Sequence, residues 1–91
     1  MRIDWADEAL DDVARLVEFL SAHSARAAGE LLDLLFAAPD RLLVTPRLGQ
    51  RVERDGPEEV RHIFVNNYEL RYQVMDHAIV VLRIWHARED R

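Results

Sequence analysis

Cysteine and lysine are both absent from this chain of 91 residues, and each absence removes a class of chemistry. Without cysteine the chain has no disulfide, no thiolate zinc site and no thiol nucleophile. Without lysine, all twelve basic side chains are arginines, which bind carboxylate and phosphate in a bidentate way and stack on aromatic rings. With only three glycines, two of them in loops at Gly49 and Gly56, the chain also lacks a glycine-rich phosphate-binding loop.

Long apolar runs are missing as well. No stretch approaches the roughly 20 apolar residues that a membrane-spanning helix needs, and the charged start, with Arg2, Asp4 and Asp7, does not resemble a secretory signal. We therefore expect a cytoplasmic protein without membrane contact. The length predicts one domain over residues 1–91, small enough that a bound partner would add materially to its stability.

Charge is spread unevenly along the chain. The net charge is −5, which argues against loose binding to nucleic acid. Residues 1–40 hold nine acidic residues and three arginines, whereas residues 41–91 hold eight acidic residues and nine arginines. The four histidines have no paired spacing, and the acidic residues near position 7 suit the positive end of a helix dipole. We therefore expect neither a metal site nor a cofactor.

Two amphipathic helices are predicted in the first half of the chain. Apolar residues recur at spacings of three and four from Leu10 to Leu20, which predicts a helix ending near Ser21. Ser24 is a suitable N-cap for a second helix with a wide apolar stripe, and Pro39 marks its end or a kink before a short turn over 40–44. The short connection predicts an antiparallel hairpin.

In the second half of the chain the apolar residues no longer follow helical spacing and instead alternate with polar ones. This alternation predicts three strands at residues 60–65, 68–75 and 79–87. Asn66–Asn67 suits a two-residue type I′ turn, which would pair Val65 with Tyr68. The next turn has two possible lengths. A turn at 76–77 would face Ile79, Val81, Arg83 and Trp85 towards the helices, and a loop at 76–78 would instead face Val80, Leu82, Ile84 and His86 there. We expect the second, because it keeps Arg83 out of the core.

This register also predicts the layout of the other face of the sheet. His62, Arg71 and Arg83 would lie side by side, with Phe64, Glu69 and Trp85 in the neighbouring row. Phe64 and Trp85 are large apolar side chains for a solvated surface, so the face suits an acidic, apolar protein partner. The alternative is that Glu69 neutralises both arginines and that the aromatic rings only cover the strand.

Four segments, in this order, resemble the ParE/RelE family of bacterial toxins. They are Trp5-Ala6-Asp7-Glu8-Ala9, Pro46-Arg47-Leu48-Gly49-Gln50, the pair Val60-Arg61-His62-Ile63-Phe64-Val65 and Tyr68-Glu69-Leu70-Arg71-Tyr72-Gln73-Val74, and His86-Ala87-Arg88-Glu89-Asp90 after the last strand. The resemblance implies an α+β fold with element order β-α-α-β-β-β. A short N-terminal strand would join a small, mainly antiparallel sheet, and a helical hairpin would cover one face of that sheet.

The ParE branch of the family is the more similar in length and ending. The resemblance implies a toxin that inhibits DNA gyrase by protein–protein contact, has no catalytic residues and is neutralised in a hetero-oligomer by a co-encoded antitoxin. The expected contact residues for antitoxin or target are Phe64, Arg71, Arg83, Trp85, Arg88 and Arg91.

The RelE branch is the alternative and implies an endonuclease that cleaves mRNA on the ribosome. Members of that branch use several lysines and arginines and a C-terminal tyrosine. Here lysine is absent, Glu69 follows Tyr68 where that branch carries an arginine, and the chain stops at Arg91 without the tyrosine. If the chain is a nuclease, the expected phosphate-binding residues are Arg61, Arg71, Arg83 and His86, and His86 is the candidate base.

Overall fold

A computed structural model describes residues 1–89. The N-terminal strand is β1 (Arg2–Trp5), and the helical hairpin consists of α1 (Asp7–Ser21) and α2 (Ala25–Ala37). A 3-10 turn (Ala38–Asp40) and the short helix α3 (Arg41–Val44) follow. The remaining strands are β2 (Gln50–Arg51), β3 (Glu59–Val65), β4 (Tyr68–Val74) and β5 (Ala78–His86). The α+β class and the predicted element order are confirmed, and the two-residue β2 is an addition to that order.

The five strands form one sheet in the order β1-β5-β4-β3-β2. Only the β1–β5 pair is parallel, and it extends from Arg2 opposite Ala78 to Trp5 opposite Val81. The chain then turns into α1, so the last five residues of β5 have no neighbouring strand on that side. This uncovered end of β5 positions the candidate site.

Both helices pack on the same face of the sheet. The core contains Val13 and Leu16 from α1, Leu31 and Leu35 from α2, and a layer of sheet side chains. That layer comprises Ile63, Leu70, Tyr72, Ile79, Val81 and Ile84. Ser24 caps α2 as predicted, because its side-chain oxygen accepts a hydrogen bond from the amide of Ala27 at 3.1 Å.

The register of β5 corrects the prediction for the turn before it. Val74 pairs with Ile79 and Tyr72 with Val81, as a two-residue turn at 76–77 requires, so the expected three-residue loop is wrong. A β-bulge then follows, since Arg71 pairs with Arg83 and leaves Leu82 as the extra residue. Beyond the bulge Ile84 faces the core, as the second alternative predicted. Ile79, Val81 and Ile84 are thus all buried while Arg83 stays outside.

The predicted neighbours on the opposite face are confirmed. His62 lies opposite Arg71 and Arg71 opposite Arg83, and Glu69 lies between Phe64 and Trp85. The turn between β3 and β4 has two residues as predicted, but only Asn66 has a positive φ, at 53°. A type I′ turn needs a positive φ at both central positions, so that part of the prediction is wrong.

A buried tyrosine holds the loop before β2 against the sheet. The hydroxyl of Tyr72 donates to the carbonyl of Pro46 at 2.8 Å and accepts from the amide of Gly49 at 3.0 Å. At position 49 a Cβ atom would lie 2.4 Å from the carbonyl oxygen of His62, which explains the glycine in the Pro46–Gln50 segment. Burial raises the pKa of Tyr72, so the hydroxyl stays protonated and able to donate.

Replacing this tyrosine tests the anchor. Tyr72→Phe leaves the buried Gly49 amide and the Pro46 carbonyl without their partner, and we expect a loss of about 1–3 kcal/mol in the free energy of unfolding. Tyr68→Phe makes the same change at a half-buried ring and should alter stability by less than about 0.5 kcal/mol. Urea titration of both variants is the measurement, and equal losses would contradict this role for Tyr72.

Candidate functional site

A groove runs along the uncovered end of β5, beside the second half of α1. Its volume is about 1430 Å³. Its apolar lining comes mainly from Leu16, Phe19 and Leu20 of α1 and from Tyr68 and Trp85 of the sheet. Its charged and polar lining consists of Arg15, Arg71, Arg83, His86, Arg88 and Glu89. The groove therefore combines apolar lining residues with several arginines.

Asp12 lies behind this groove and joins α1 to β5. Its side chain is only 5% exposed, and its carboxylate accepts four hydrogen bonds. These come from Arg83 Nε at 2.8 Å, Arg83 Nη2 at 3.1 Å, the Ile84 amide at 2.9 Å and Arg15 Nη2 at 3.1 Å. The bond to the Ile84 amide satisfies a donor that β1 would have paired if it extended further. Asp12 thus closes this part of the sheet edge with a side chain instead of a strand.

The ionisation of Asp12 follows from these contacts. Burial by itself raises the pKa of the carboxyl, but the hydrogen bonds from Arg83, the Ile84 amide and Arg15 outweigh burial and hold the pKa of Asp12 below its usual value. The same carboxylate raises the pKa of Arg83. Asp12 is therefore ionised at neutral pH, and Arg83 is paired within the chain.

The aromatic ring between the arginines is less exposed than expected. Trp85 is 9% exposed, because the guanidinium groups of Arg71 and Arg83 lie 4.8 Å and 5.0 Å from its ring centroid. Exposure was predicted from its position on the solvated face, and that expectation is wrong. Phe64 is 58% exposed, as predicted. It lies next to His62, with the ring centroids 5.3 Å apart.

Glu69 neutralises only part of the arginine row. Its carboxylate is buried and lies 3.0 Å from both His62 Nδ1 and Arg71 Nη2. Arg83 instead pairs with Asp12, so the alternative in which Glu69 neutralises both arginines is wrong. Each arginine of this row is held by a different carboxylate, and both arginines stack on the same indole ring.

The expected phosphate-binding residues do not converge. Arg61 pairs with Tyr72 in the sheet and therefore points to the helix side, opposite to Arg71 and Arg83. Its guanidinium donates to the carbonyl of Gly49 at 2.8 Å and to Glu59 at 2.7 Å. The imidazole of His86 stacks edge-on against Tyr68 and accepts a hydrogen bond from the amide of Arg88. Arg71, Arg83 and His86 line the groove together, whereas Arg61 is not part of its lining.

Several contributors to the groove were not predicted from the sequence, among them Asp12, Arg15, Phe19 and Glu89. Asp12 is a charged residue among the apolar positions between Leu10 and Leu20, and the helical pattern alone does not predict its burial. The signal that identifies it is its spacing, three residues after the buried Ala9 and four before the buried Leu16, which places it at the border of the core stripe. Arg88 lines the groove, while the predicted contact residue Arg91 lies outside the described residues.

Other site classes have little support in the part of the chain that the structure describes. Over residues 1–89 no three side chains of His, Asp or Glu are grouped so that they could hold a metal ion. None of the helices in that range has both the length and the apolar character needed to cross a bilayer.

Removing the charge of Asp12 should loosen the end of β5. We expect Asp12→Asn to reduce the free energy of unfolding by about 1.5–3 kcal/mol, since hydrogen bonds from two arginines and one amide lose their charged acceptor. Asp11→Asn removes the neighbouring, exposed carboxylate and serves as the matched control, with an expected change below about 0.5 kcal/mol. Chemical denaturation measures the free energy of unfolding of both variants, and equal losses in the two would count against the role of Asp12.

The contribution of Asp12 should also depend on pH. Its pKa is lower in the folded chain than in the unfolded chain, so the stabilisation is fully present above the unfolded value of about 4 and is lost as the pH falls through the folded value. The stability gap between the wild-type chain and Asp12→Asn should therefore be widest near pH 7 and should narrow below about pH 4. Urea titrations at several pH values measure the gap, and a gap independent of pH would refute this account.

Comparison with solved structures shows the same fold. The chromosomal ParDE toxin–antitoxin system from P. aeruginosa contains a chain that matches with a TM-score of 0.79 over 97% of both chains, at 16% sequence identity. A chain of the toxin–antitoxin complex RelBE2 from Mycobacterium tuberculosis matches with a TM-score of 0.56, at 18% identity, over 93% of this chain and 95% of that chain.

Sequence comparison extends this result from fold to family. Toxin RelE1 of Caulobacter vibrioides is 37% identical over 88% of this chain and 86% of its own length. Toxin RelE3 of the same organism is 27% identical over 98% and 97%. The family described as the ParE toxin of the type II toxin-antitoxin system parDE matches residues 3–91. The chain therefore belongs to the ParE toxin family of type II toxin–antitoxin systems, within the ParE/RelE superfamily.

Proposed function

We propose that this toxin acts by protein–protein contact on DNA gyrase and that a co-encoded antitoxin neutralises it in a hetero-oligomer. The observation that carries the proposal is the groove beside β5, whose combination of apolar and arginine side chains suits a protein segment better than a reacting phosphodiester. Phe19, at 72% exposure on its edge, is the kind of large apolar side chain that a partner covers.

The antitoxin is proposed on the strength of both family and structure. The fold matches chains from a ParDE system and from a RelBE2 complex, and each of these is a toxin–antitoxin assembly. In this chain the groove offers a partner both apolar area and paired charges. Phe64, Arg71, Arg83, Trp85, Arg88 and Arg91 stay predictions as contact residues, and of these Arg71, Arg83, Trp85 and Arg88 line the groove itself.

Inhibition of gyrase is favoured over cleavage of RNA because the arginines that would bind phosphate already form ion pairs with carboxylates of the chain. Asp12 holds Arg83, Glu69 holds Arg71 and Glu59 holds Arg61. An RNA phosphate would have to compete with a carboxylate at each of these arginines, and it would meet a chain whose net charge is −5. A protein partner can instead stack on the outer faces of the same side chains without breaking those pairs.

Cleavage of mRNA on the ribosome is the second candidate. It is favoured by the names of the two curated relatives, Toxin RelE1 and Toxin RelE3. The geometry offers His86 as a base and Arg71 and Arg83 as phosphate ligands, but Arg61 points to the other side of the sheet. The two candidates differ in their products, since one leaves messages intact and the other leaves cleaved messages.

Growth and enzyme assays test the first candidate. Induction of the chain should arrest growth with signs of DNA damage, co-expression of the antitoxin should restore growth, and the purified chain should inhibit supercoiling by gyrase. Arg88→Gln removes an exposed cation of the groove and should weaken inhibition by about two- to tenfold, in line with a contact of roughly 0.5–1.4 kcal/mol. Arg26→Gln, on the exposed surface of α2, is the matched control and should leave inhibition unchanged.

Two results would refute the gyrase proposal. One is normal supercoiling at a saturating concentration of the chain. The other is a set of codon-specific cuts in cellular messages, mapped by primer extension after induction, which would establish the endonuclease in its place.

A further inference from the structure

A cluster of arginines lies at the β2 edge of the sheet, away from the groove. β3 and β4 separate β2 from β5, and none of the side chains in the cluster lines the groove. We call this cluster the arginine corner, and it consists of Arg41, Arg47, Arg51, Arg61 and the carboxylate of Glu59. Four cations and one anion give the corner a formal charge of +3, in a chain whose net charge is −5. The corner is therefore a local cationic site on an acidic protein.

The contacts between Gly49 and Tyr72 bring these side chains together. Arg61 donates to the carbonyl of Gly49 at 2.8 Å, and the amide of Gly49 donates to the Tyr72 hydroxyl at 3.0 Å. Arg51 lies directly opposite Arg61 in the β2–β3 pair, so both side chains leave the sheet on the same face. Burial raises the pKa of Tyr72, and the charges of Arg61 and Arg41 partly offset this rise. Arg41 therefore lies near the same hydroxyl.

The single carboxylate of the corner neutralises only part of this charge. Glu59 accepts two hydrogen bonds from Arg47, both at 2.9 Å, and one from Arg61 at 2.7 Å. Arg41 and Arg51 are exposed, and neither forms an ion pair within the part of the chain that the structure describes. These two cations can therefore bind an anion from outside without displacing a carboxylate of the chain.

The groups around the corner suit the binding of a phosphodiester and not its cleavage. Hydrogen bonds from Arg47 and Arg61 hold the pKa of Glu59 below its usual value, which makes this carboxylate a weak base. The Tyr72 hydroxyl stays protonated because burial raises its pKa, and it already donates to the carbonyl of Pro46. Neither group is suited to remove a proton from a nucleophile at neutral pH.

We propose that the arginine corner binds the phosphodiester backbone of the DNA that gyrase holds, while the groove beside β5 contacts the gyrase protein. The inference rests on the proposed function, because it adds DNA as a second partner within the same complex. Each nucleotide of a DNA strand carries one negative charge, so a single ligand can meet both Arg41 and Arg51. An isolated acidic side chain of a protein would meet only one of them.

The acidic character of the whole chain determines when this contact forms. A net charge of −5 opposes binding to DNA that is free in solution. Once the groove is bound to gyrase, the DNA of the same complex is at a high effective concentration, and two arginine–phosphate contacts then add to the affinity of the toxin. The corner therefore favours gyrase that is engaged with DNA over gyrase without DNA.

Binding of the full chain to gyrase, measured by fluorescence anisotropy with and without a bound DNA duplex, tests this assignment. Arg41→Gln and Arg51→Gln each remove an unpaired, exposed cation and should leave the urea unfolding midpoint unchanged. Each should weaken binding by about two- to tenfold when DNA is present and have no effect when DNA is absent. The slope of log affinity against log salt should become shallower by about one for each arginine removed. Arg2→Gln, on β1 at the opposite edge of the sheet, is the matched control with no expected change.

The outcomes separate this inference from the proposed function. An equal loss of affinity with and without DNA would show that the corner meets an acidic protein surface, and it would overturn the assignment to DNA. Affinity that neither substitution changes would also overturn it, while the proposed contact with gyrase would stand. A wild-type chain that binds gyrase in neither state would overturn the proposed function as well.

Nuclear magnetic resonance on the full chain gives a second readout that does not need gyrase. The probe is a short DNA duplex titrated at low salt, where weak phosphate contacts are least screened. The amide signals of Gly49 and Arg51 should shift on addition of the duplex, and Arg51→Gln should reduce these shifts. Signals of Arg83 and Trp85, beside the groove, should stay in place. Shifts confined to the groove, or an absence of shifts at low salt, would overturn the inference.

Discussion

The carboxylate of Asp12 is the interaction on which the functional end of this molecule depends. It lies between α1 and β5, and it satisfies the amide of Ile84 at the point where β1 no longer pairs with the sheet. The same group binds Arg83 and Arg15, two of the cations around the groove. Without it, a bulged strand end would carry an unpaired amide and two arginines with no buried counter-ion.

The bulge at Leu82 creates the need for this contact. Side chains of a regular strand alternate between its two faces. A regular β5 could therefore place Ile79 and Val81 against the helices, or Ile84, but not all three. The extra residue brings all three into the core and keeps Arg83 outside, where it lies over Trp85. The geometry that gives the toxin its core is therefore also the geometry that places an arginine and an indole ring at the groove.

Charge in this protein is organised in pairs, in place of one broad basic patch. The buried carboxylates of Asp12 and Glu69 each hold an arginine of the sheet face, while the exposed pair of Arg15 and Glu89 joins α1 to the C-terminal segment. Buried pairs of this kind fix geometry, whereas the exposed pair can be exchanged at low cost.

The sequence alone determined the elements and much of their order. Apolar spacing identified the helical hairpin, alternation identified the three long strands, and Asn66–Asn67 set the β3–β4 pairing, because these signals act between residues close along the chain. Only the tertiary structure decided the bulge and the burial of Trp85 and Asp12. Asp12 contacts β5 across 71–72 positions of sequence, and the bulge places Arg83 over Trp85, so packing of the whole core outweighs local preference at these residues.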